Sequence, residues 1–78
     1  MSRLNEIRAK LITEPVYLLN TFEDIAIRTE PVTKTEPEIK YFAKPKGLDE
    51  YQLKYNSGLL AETLLGACEI TKEQYDNY

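Results

Sequence analysis

Adjacent carboxylates are the first side chains in this sequence to test for acid–base chemistry. They occur as two pairs, Glu23-Asp24 and Asp49-Glu50. A carboxyl group acts as a general acid or base near neutral pH when an apolar pocket raises its pKa, and both pairs lie where we predict the ends of elements. Their spacing also differs from that of a calcium-binding loop. We therefore expect neither pair to be catalytic or to bind a metal.

Other residue types that carry out catalysis are scarce. The chain contains no histidine, so it lacks the usual proton shuttle and the commonest metal ligand. Cys68 is the single cysteine. It lies in a predicted apolar helix with no cation nearby, a setting that favours a small buried apolar side chain over a nucleophile. The three glycines are isolated, which argues against a phosphate-binding loop. The sequence thus predicts a protein that is not an enzyme and uses no cofactor.

Residues 39–55 predict a β-hairpin with two different faces. Successive side chains of a strand point to opposite sides, and Pro45 and Gly47 supply the backbone angles of a turn between the strands. The inner face would carry Ile39, Tyr41, Ala43, Tyr51, Leu53 and Tyr55. The outer face would carry Lys40, Phe42, Lys44, Gln52 and Lys54.

Phe42 on the outer face has two alternative environments. Another element, such as the N-terminal segment, covers it, or it stays exposed for a partner. A ring surrounded by Lys40, Lys44, Lys46 and Lys54 combines phosphate attraction with stacking, as in nucleic-acid binding. The net charge of −3 opposes that use, so we expect nucleic acid to be a less favoured partner than protein.

The N-terminal half predicts elements that pack against this hairpin. Residues 2–12 have helical periodicity, with one apolar stripe formed by Leu4, Ile7, Leu11 and Ile12. Residues 15–24 fit a short helix, which we favour, or a strand through residues 16–19. Residues 25–28 alternate as a strand does. Residues 29–38 form a proline-containing linker or an edge strand, since proline removes ladder donors.

The C-terminal third predicts two helices. Residues 59–68 carry an apolar arc broader than one small sheet needs, and this makes Leu65 a candidate for self-association. The Thr71-to-Gln74 spacing is that of a capping box and starts a last short helix. Tyr75 and Tyr78 on that helix either seal the core or are offered to a partner.

Together these segments predict one small α+β domain over residues 1–78. A small antiparallel sheet, the central hairpin plus one or two further strands, packs against an N-terminal helix and a C-terminal helix. Below about 80 residues a single core gives only about 3–5 kcal/mol of net stability, which favours a homodimer or a chain completed by its partner. The lone cysteine and the absence of an apolar leader or membrane-length segment predict a cytoplasmic protein without a membrane partner.

Residues 67–75, with the sequence ACEITKEQY, resemble small accessory proteins encoded by phages and prophages of Gram-positive bacteria. The general style of a compact acidic chain rich in Lys, Glu and Tyr is similar as well. The resemblance implies a protein that acts in the host cytoplasm, where it binds and inhibits or redirects a host protein, for example one of a defence system. It carries no site motif, so no functional residue is transferred.

The sequence favours a non-catalytic protein-binding module that works by steric masking. Six tyrosines and two phenylalanines on so small a body support it, because aromatic residues are enriched in interface cores. A homo-oligomeric structural subunit and a nucleic-acid-binding protein are the alternatives. The predicted partner-binding residues are Lys40, Phe42, Lys44, Lys46, Lys54, Tyr75 and Tyr78.

Overall fold

A computed structural model describes residues 3–66 and 68–78 of the chain. The described residues form helices and an antiparallel sheet, which confirms the α+β class. The elements are α1 (Arg3–Thr13), β1 (Tyr17–Asn20), β2 (Ile25–Glu30), β3 (Lys40–Pro45), β4 (Tyr51–Leu53), α2 (Gly58–Gly66) and α3 (Lys72–Asp76). The predicted helix start at Ser2, the side chain of Leu4 on the apolar stripe and the place of Ala67 in the second helix lie outside this description.

The sheet is a meander in which each strand pairs with the next along the chain. Its order is β1-β2-β3-β4, and both central strands have hydrogen-bonded neighbours on two sides. Ile27 in the middle of β2 lies between Leu18 of β1 and Ala43 of β3. Short connections between sequential strands are the simplest way to build such a sheet.

The predicted hairpin is confirmed by β3 and β4, and the side chains alternate between two faces as predicted. Tyr51 and Tyr55 of the predicted inner face are nevertheless exposed, because β4 is the outermost strand of the sheet and Tyr55 lies beyond its end. Tyr41 pairs with Leu53 and Ala43 pairs with Tyr51, so these four side chains share one side of the sheet. The turn contains Gly47 at a φ of 73°, a conformation that a residue without Cβ adopts at little cost.

The helices α1 and α2 cover one face of the sheet and form the core with it. Ile7 and Leu11 of α1 pack against Val16 and Leu18. A second cluster joins Leu60 of α2 to β2 and β3, with members Ile27, Ala43 and Leu60. The helical periodicity of residues 2–12 is therefore confirmed by α1, although Ile12 at the end of its predicted stripe is exposed.

The helix favoured for residues 15–24 is wrong, because this segment contains strand β1. Val16, Leu18 and Asn20 are all buried, which is the alternation of a strand. The Val16 N–H donates to Thr29 Oγ1 at 3.0 Å, and the Thr29 N–H donates to the Val16 carbonyl at 2.9 Å. Pairing with β2 thus supplies hydrogen bonds that outweigh the local preference for a helix.

The second predicted helix ends earlier than expected. α2 stops at Gly66, and the chain then runs beside β1 with an isolated bridge between Leu18 and Glu69. The Leu19 N–H donates to the Cys68 carbonyl at 2.8 Å. Cys68 is exposed, so its prediction as a buried side chain is wrong: the chain leaves the helix to cover the free edge of β1.

The remaining elements follow local sequence signals. Residues 31–39 form a loop between β2 and β3, whereas Thr29 and Glu30, the first residues of the predicted linker or edge strand, belong to β2. At the start of α3 the Gln74 N–H donates to Thr71 Oγ1 at 3.1 Å and the Thr71 N–H donates to Gln74 Oε1 at 2.8 Å, which confirms the capping box. No helix formed by residues 3–66 and 68–78 has the length and apolar composition needed to cross a membrane.

Candidate functional site

Phe42 lies on the outer face of the hairpin, where a neighbouring strand covers it. The guanidinium carbon of Arg28 lies 4.1 Å from the centre of the Phe42 ring, and the two residues are partners in the β2–β3 register. The ring is half-buried. The cover therefore comes from Arg28 in β2, and the N-terminal helix proposed for this role lies on the other side of the sheet.

Two carboxylates fix Arg28 over that ring. Arg28 Nε and Nη2 donate to the two oxygens of Glu50 at 2.8 and 2.6 Å, and Nη1 donates to Glu30 at 2.7 Å. Bidentate pairing holds a guanidinium in one orientation. The hydrogen bonds from Arg28 hold the pKa of Glu50 below its ordinary value, against the opposing effect of its partial burial.

Tyr75 and Lys44 complete this network from the C-terminal side. Tyr75 is 3% exposed, and its hydroxyl donates to Glu50 Oε2 at 2.6 Å. Lys44 Nζ donates to the carbonyls of Tyr75 and Asp76 at 3.2 and 2.8 Å. Tyr75 and Lys44 were both predicted to bind a partner. In the structure they attach α3 to the sheet, because α3 folds back over the outer face of the hairpin.

The other predicted partner-binding residues of the hairpin are dispersed. Lys40 forms a salt bridge of 3.6 Å with Glu36, while Lys46 and Lys54 are exposed at opposite ends of the hairpin. Tyr78 is half-buried, and its carbonyl accepts a hydrogen bond from the Gly47 N–H at 3.2 Å. The outer face is thus a set of internal contacts, and the lysines do not surround an open ring.

The Glu50 network predicts a loss of stability in acid. Because the folded-state pKa of Glu50 lies below its ordinary 4.5, its contribution is present above about pH 4.5 and is lost as the pH falls. Burial, and then the hydrogen bond to Glu50, raise the pKa of Tyr75. The contribution of Tyr75 to stability is therefore lost only in strong alkali. The free energy of unfolding of the wild type should fall between pH 6 and pH 3, and we expect Glu50→Gln to make this fall smaller by about 1 kcal/mol. Urea denaturation at the two pH values measures it.

The exposed carboxylate of Glu38 provides the control for this measurement. Glu38→Gln should keep the wild-type decline in acid, since this residue lies in the loop before β3. An equal decline in wild type and Glu50→Gln would show that the network contributes nothing to the acid dependence.

A different surface of the protein has apolar side chains that are exposed to solvent. Phe22, in the turn after β1, is 90% exposed, and Leu65, near the end of α2, is 73% exposed. Both line a groove of about 410 Å³ that also includes Leu19, Thr63 and Cys68. We call this the Phe22–Leu65 groove. Leu65 was predicted as a candidate for self-association, whereas Phe22 was predicted only as part of the short helix favoured for residues 15–24.

A buried amide holds the walls of this groove together. Asn20 is 4% exposed, and its Oδ1 accepts from the N–H groups of Phe22 and Glu23 at 3.0 and 3.1 Å. Its Nδ2 donates to Thr63 Oγ1 at 3.1 Å and to Glu62 Oε1 at 3.4 Å. Two donors and two acceptors exhaust the hydrogen-bonding capacity of an Asn side chain. One residue therefore ties the turn to helix α2.

The turn that carries Phe22 also contains a backbone conformation uncommon for its residue type. Asp24 has a φ of 51°, a region that Asp and Asn tolerate better than most residues. An Asn that starts a turn by accepting from the N–H groups two and three residues further along the chain is a recognisable local pattern. Such a pattern at Asn20 was the sequence signal for this turn, and the helical spacing of Leu18, Leu19 and Phe22 obscured it.

A second groove lies at the other end of the hairpin. It has a volume of about 490 Å³ and is lined by residues from the loop before β3 and from the end of β4, among them Glu36, Lys40, Tyr41, Lys54 and Tyr55. Its acidic and basic residues are balanced, and Glu36 pairs with Lys40. Its only strongly exposed aromatic ring, Tyr55, follows the end of β4. We regard the Phe22–Leu65 groove as the better candidate site.

Comparison of the chain with protein-family models, curated proteins and solved structures finds no significant match. The functional argument therefore depends on the geometry of this chain alone.

Proposed function

We propose that this protein is a small non-catalytic module that binds another protein through the Phe22–Leu65 groove. The observation that carries the proposal is a pair of exposed apolar side chains, Phe22 in the turn after β1 and Leu65 on α2, on two segments that hydrogen bonds of Asn20 hold together. An exposed phenyl ring gains about 25 cal/mol for each Å² that a partner removes from water. Phe22 stays exposed in the folded protein, so this free energy is available for binding a partner.

The rigid turn increases the value of Phe22 to a partner. Ordering a loop on binding consumes part of the free energy of association, and the hydrogen bonds of Asn20 have already ordered this one. Aromatic residues that enter a partner's pocket are typical of the few side chains that dominate an interface. Phe22 has the exposure and the ordered turn for that role, and Leu65 adds a second exposed apolar side chain in the same groove.

The mode of action that fits so small a body is steric masking. A standard interface buries about 800 Å² on each partner, about one seventh of the 5317 Å² surface of this chain. The rest of the module, with principal extents of 33 × 31 × 25 Å, would then cover neighbouring parts of the target. The resemblance to phage accessory proteins extends the proposal to a host protein that is inhibited or redirected in the host cytoplasm.

The test is capture by matched variants. Immobilised wild type, Phe22→Ser and Leu65→Ser are compared with Tyr55→Ser and Leu48→Ser, which remove similar side chains that are 82% and 64% exposed elsewhere. We expect proteins retained from an extract of the source cells by wild type and both controls to be lost with the groove variants. For an identified partner the groove substitutions should each weaken affinity by about 30-fold or more.

Two results would contradict this proposal. One is retention of the same proteins by wild type and by Phe22→Ser. The other is a particle larger than a monomer in light scattering that Leu65→Ser converts to monomer, which would support the self-assembly alternative.

A further inference from the structure

We propose that the occupant of the Phe22–Leu65 groove is a basic amphipathic helix of the partner protein, with one apolar face and Lys or Arg beside it. This inference rests on the proposed function and adds the chemistry of the partner segment. It follows from the charge of the elements that form the groove and from the state of the nearest sheet edge.

The two elements that form the groove are acidic. Residues 21–24 contain Glu23 and Asp24, α2 contains Glu62, and neither element contains Lys or Arg. The charge of these three carboxylates equals the net charge of −3 of the whole chain. The acidic and basic residues of the rest of the chain are therefore equal in number. Among residues 3–66 and 68–78 none of the three forms a salt bridge, whereas Glu69 beyond the groove is paired with Lys10. Glu62 lines the groove, and Glu23 and Asp24 directly follow Phe22 in the turn. The elements that form the groove therefore offer negative charge to a cationic partner.

The same charge argues against a second copy of this chain as the occupant. In a two-fold dimer each subunit contributes the same surface patch, so the carboxylates beside one groove would face those beside the other. Like charges brought together at an interface weaken binding. A partner with Lys or Arg next to its apolar side chains has the opposite effect.

The neighbouring sheet edge favours a helix over an extended strand. A bound strand needs free backbone donors and acceptors on an edge, but the edge of β1 is already used by its own chain. The Leu19 N–H donates to the Cys68 carbonyl at 2.8 Å, and the Ile70 N–H donates to the Tyr17 carbonyl at 2.9 Å. A helix satisfies its own backbone groups and presents side chains at i, i+3 and i+4 to an apolar groove.

The inference is tested with three synthetic peptides of 14 residues and fluorescence anisotropy. The first has helical spacing of Leu with Lys on the other positions, the second has Glu in place of Lys, and the third has Ser in place of Leu. We expect only the first to bind, with amide shift changes in NMR spectra confined to residues 19–24 and 62–66. Its affinity should fall as salt is raised, because the charges are exposed.

Protein variants separate the contribution of apolar contact from the contribution of charge. Phe22→Ser and Leu65→Ser should each weaken binding of the Lys–Leu peptide at least about tenfold, while Leu48→Ser and Tyr55→Ser leave it unchanged. Glu62→Gln should weaken it about two- to fivefold, because Glu62 is the carboxylate that lines the groove. Glu38→Gln serves as the charge control.

Several outcomes overturn the inference. Equal binding of the Glu–Leu peptide removes the role of charge, and equal binding of the Lys–Ser peptide shows attraction without docking. Shift changes outside the groove place the peptide elsewhere. If no peptide binds while cellular partners are still lost with Phe22→Ser, the proposed function stands and only the basic helix is excluded. If wild type captures no partner, binding of the Lys–Leu peptide with loss in Phe22→Ser still supports the docking chemistry.

Discussion

Asn20→Ala is expected to lower the free energy of unfolding by about 2–3 kcal/mol, with urea denaturation as the measurement. The side chain makes four hydrogen bonds, two to backbone N–H groups of the turn and two to side chains of α2. Each typically contributes about 0.5–1.5 kcal/mol, and solvent can replace part of those at the partly buried end. We also expect faster hydrogen exchange at Phe22 and Glu23, because their amides lose their acceptor.

Two further substitutions separate these contributions. Asn20→Asp keeps the acceptor for the turn but loses the donors to Thr63 and Glu62, and it adds a charge beside Glu62. It should destabilise the protein while preserving slow exchange at Phe22. Asn56→Ala, at an exposed asparagine, should change stability by less than about 0.5 kcal/mol. Equal stabilities for Asn20→Ala and Asn56→Ala would show that the buried amide is not what holds the turn.

Ile27→Ala is expected to have the largest effect, a loss of about 3 kcal/mol. Ile27 has 0% exposure and packs between Leu18 and Ala43, beneath Leu60. Removing three buried carbons loses their transfer free energy and leaves a cavity, and buried Ile→Ala substitutions cost about 2–5 kcal/mol. Because a domain of this size has only about 3–5 kcal/mol in total, a large fraction of the variant should be unfolded at 37 °C.

Ile12→Ala is the matched control, since Ile12 is 57% exposed on α1. It makes the same chemical change outside the core and should shift the melting temperature by no more than a few degrees. Circular dichroism during heating measures both variants. Similar melting temperatures for the two would contradict the packing of β2 at the centre of the core.

Local patterns in the sequence were sufficient for several elements. The hairpin of residues 39–55 was predictable because period-two alternation and a Pro–Gly turn act over a few residues. The capping box at Thr71 and Gln74 is likewise complete within four residues. Helix α1 follows from the spacing of Ile7 and Leu11. In each case neighbouring residues both set the conformation and supply its hydrogen bonds.

Residues 15–24 show where local patterns fail. Leu18, Leu19 and Phe22 fit a helix as well as Val16 and Leu18 fit a strand, so periodicity cannot choose between them. The choice is made by hydrogen bonds with Thr29 and the rest of β2, which lie about ten residues further along the chain. A sequence pattern over one segment contains no measure of that pairing.

The candidate site depended still more on contacts distant in sequence. The sequence by itself determined that one acidic α+β domain has a central hairpin and more aromatic side chains than its core needs. Only the tertiary structure decided which ring is exposed: Arg28 from β2 covers Phe42, while Asn20 and α2 hold Phe22 in water. The reason is that the cover of a side chain comes from whichever elements fold over it, and that follows from the packing of the whole chain.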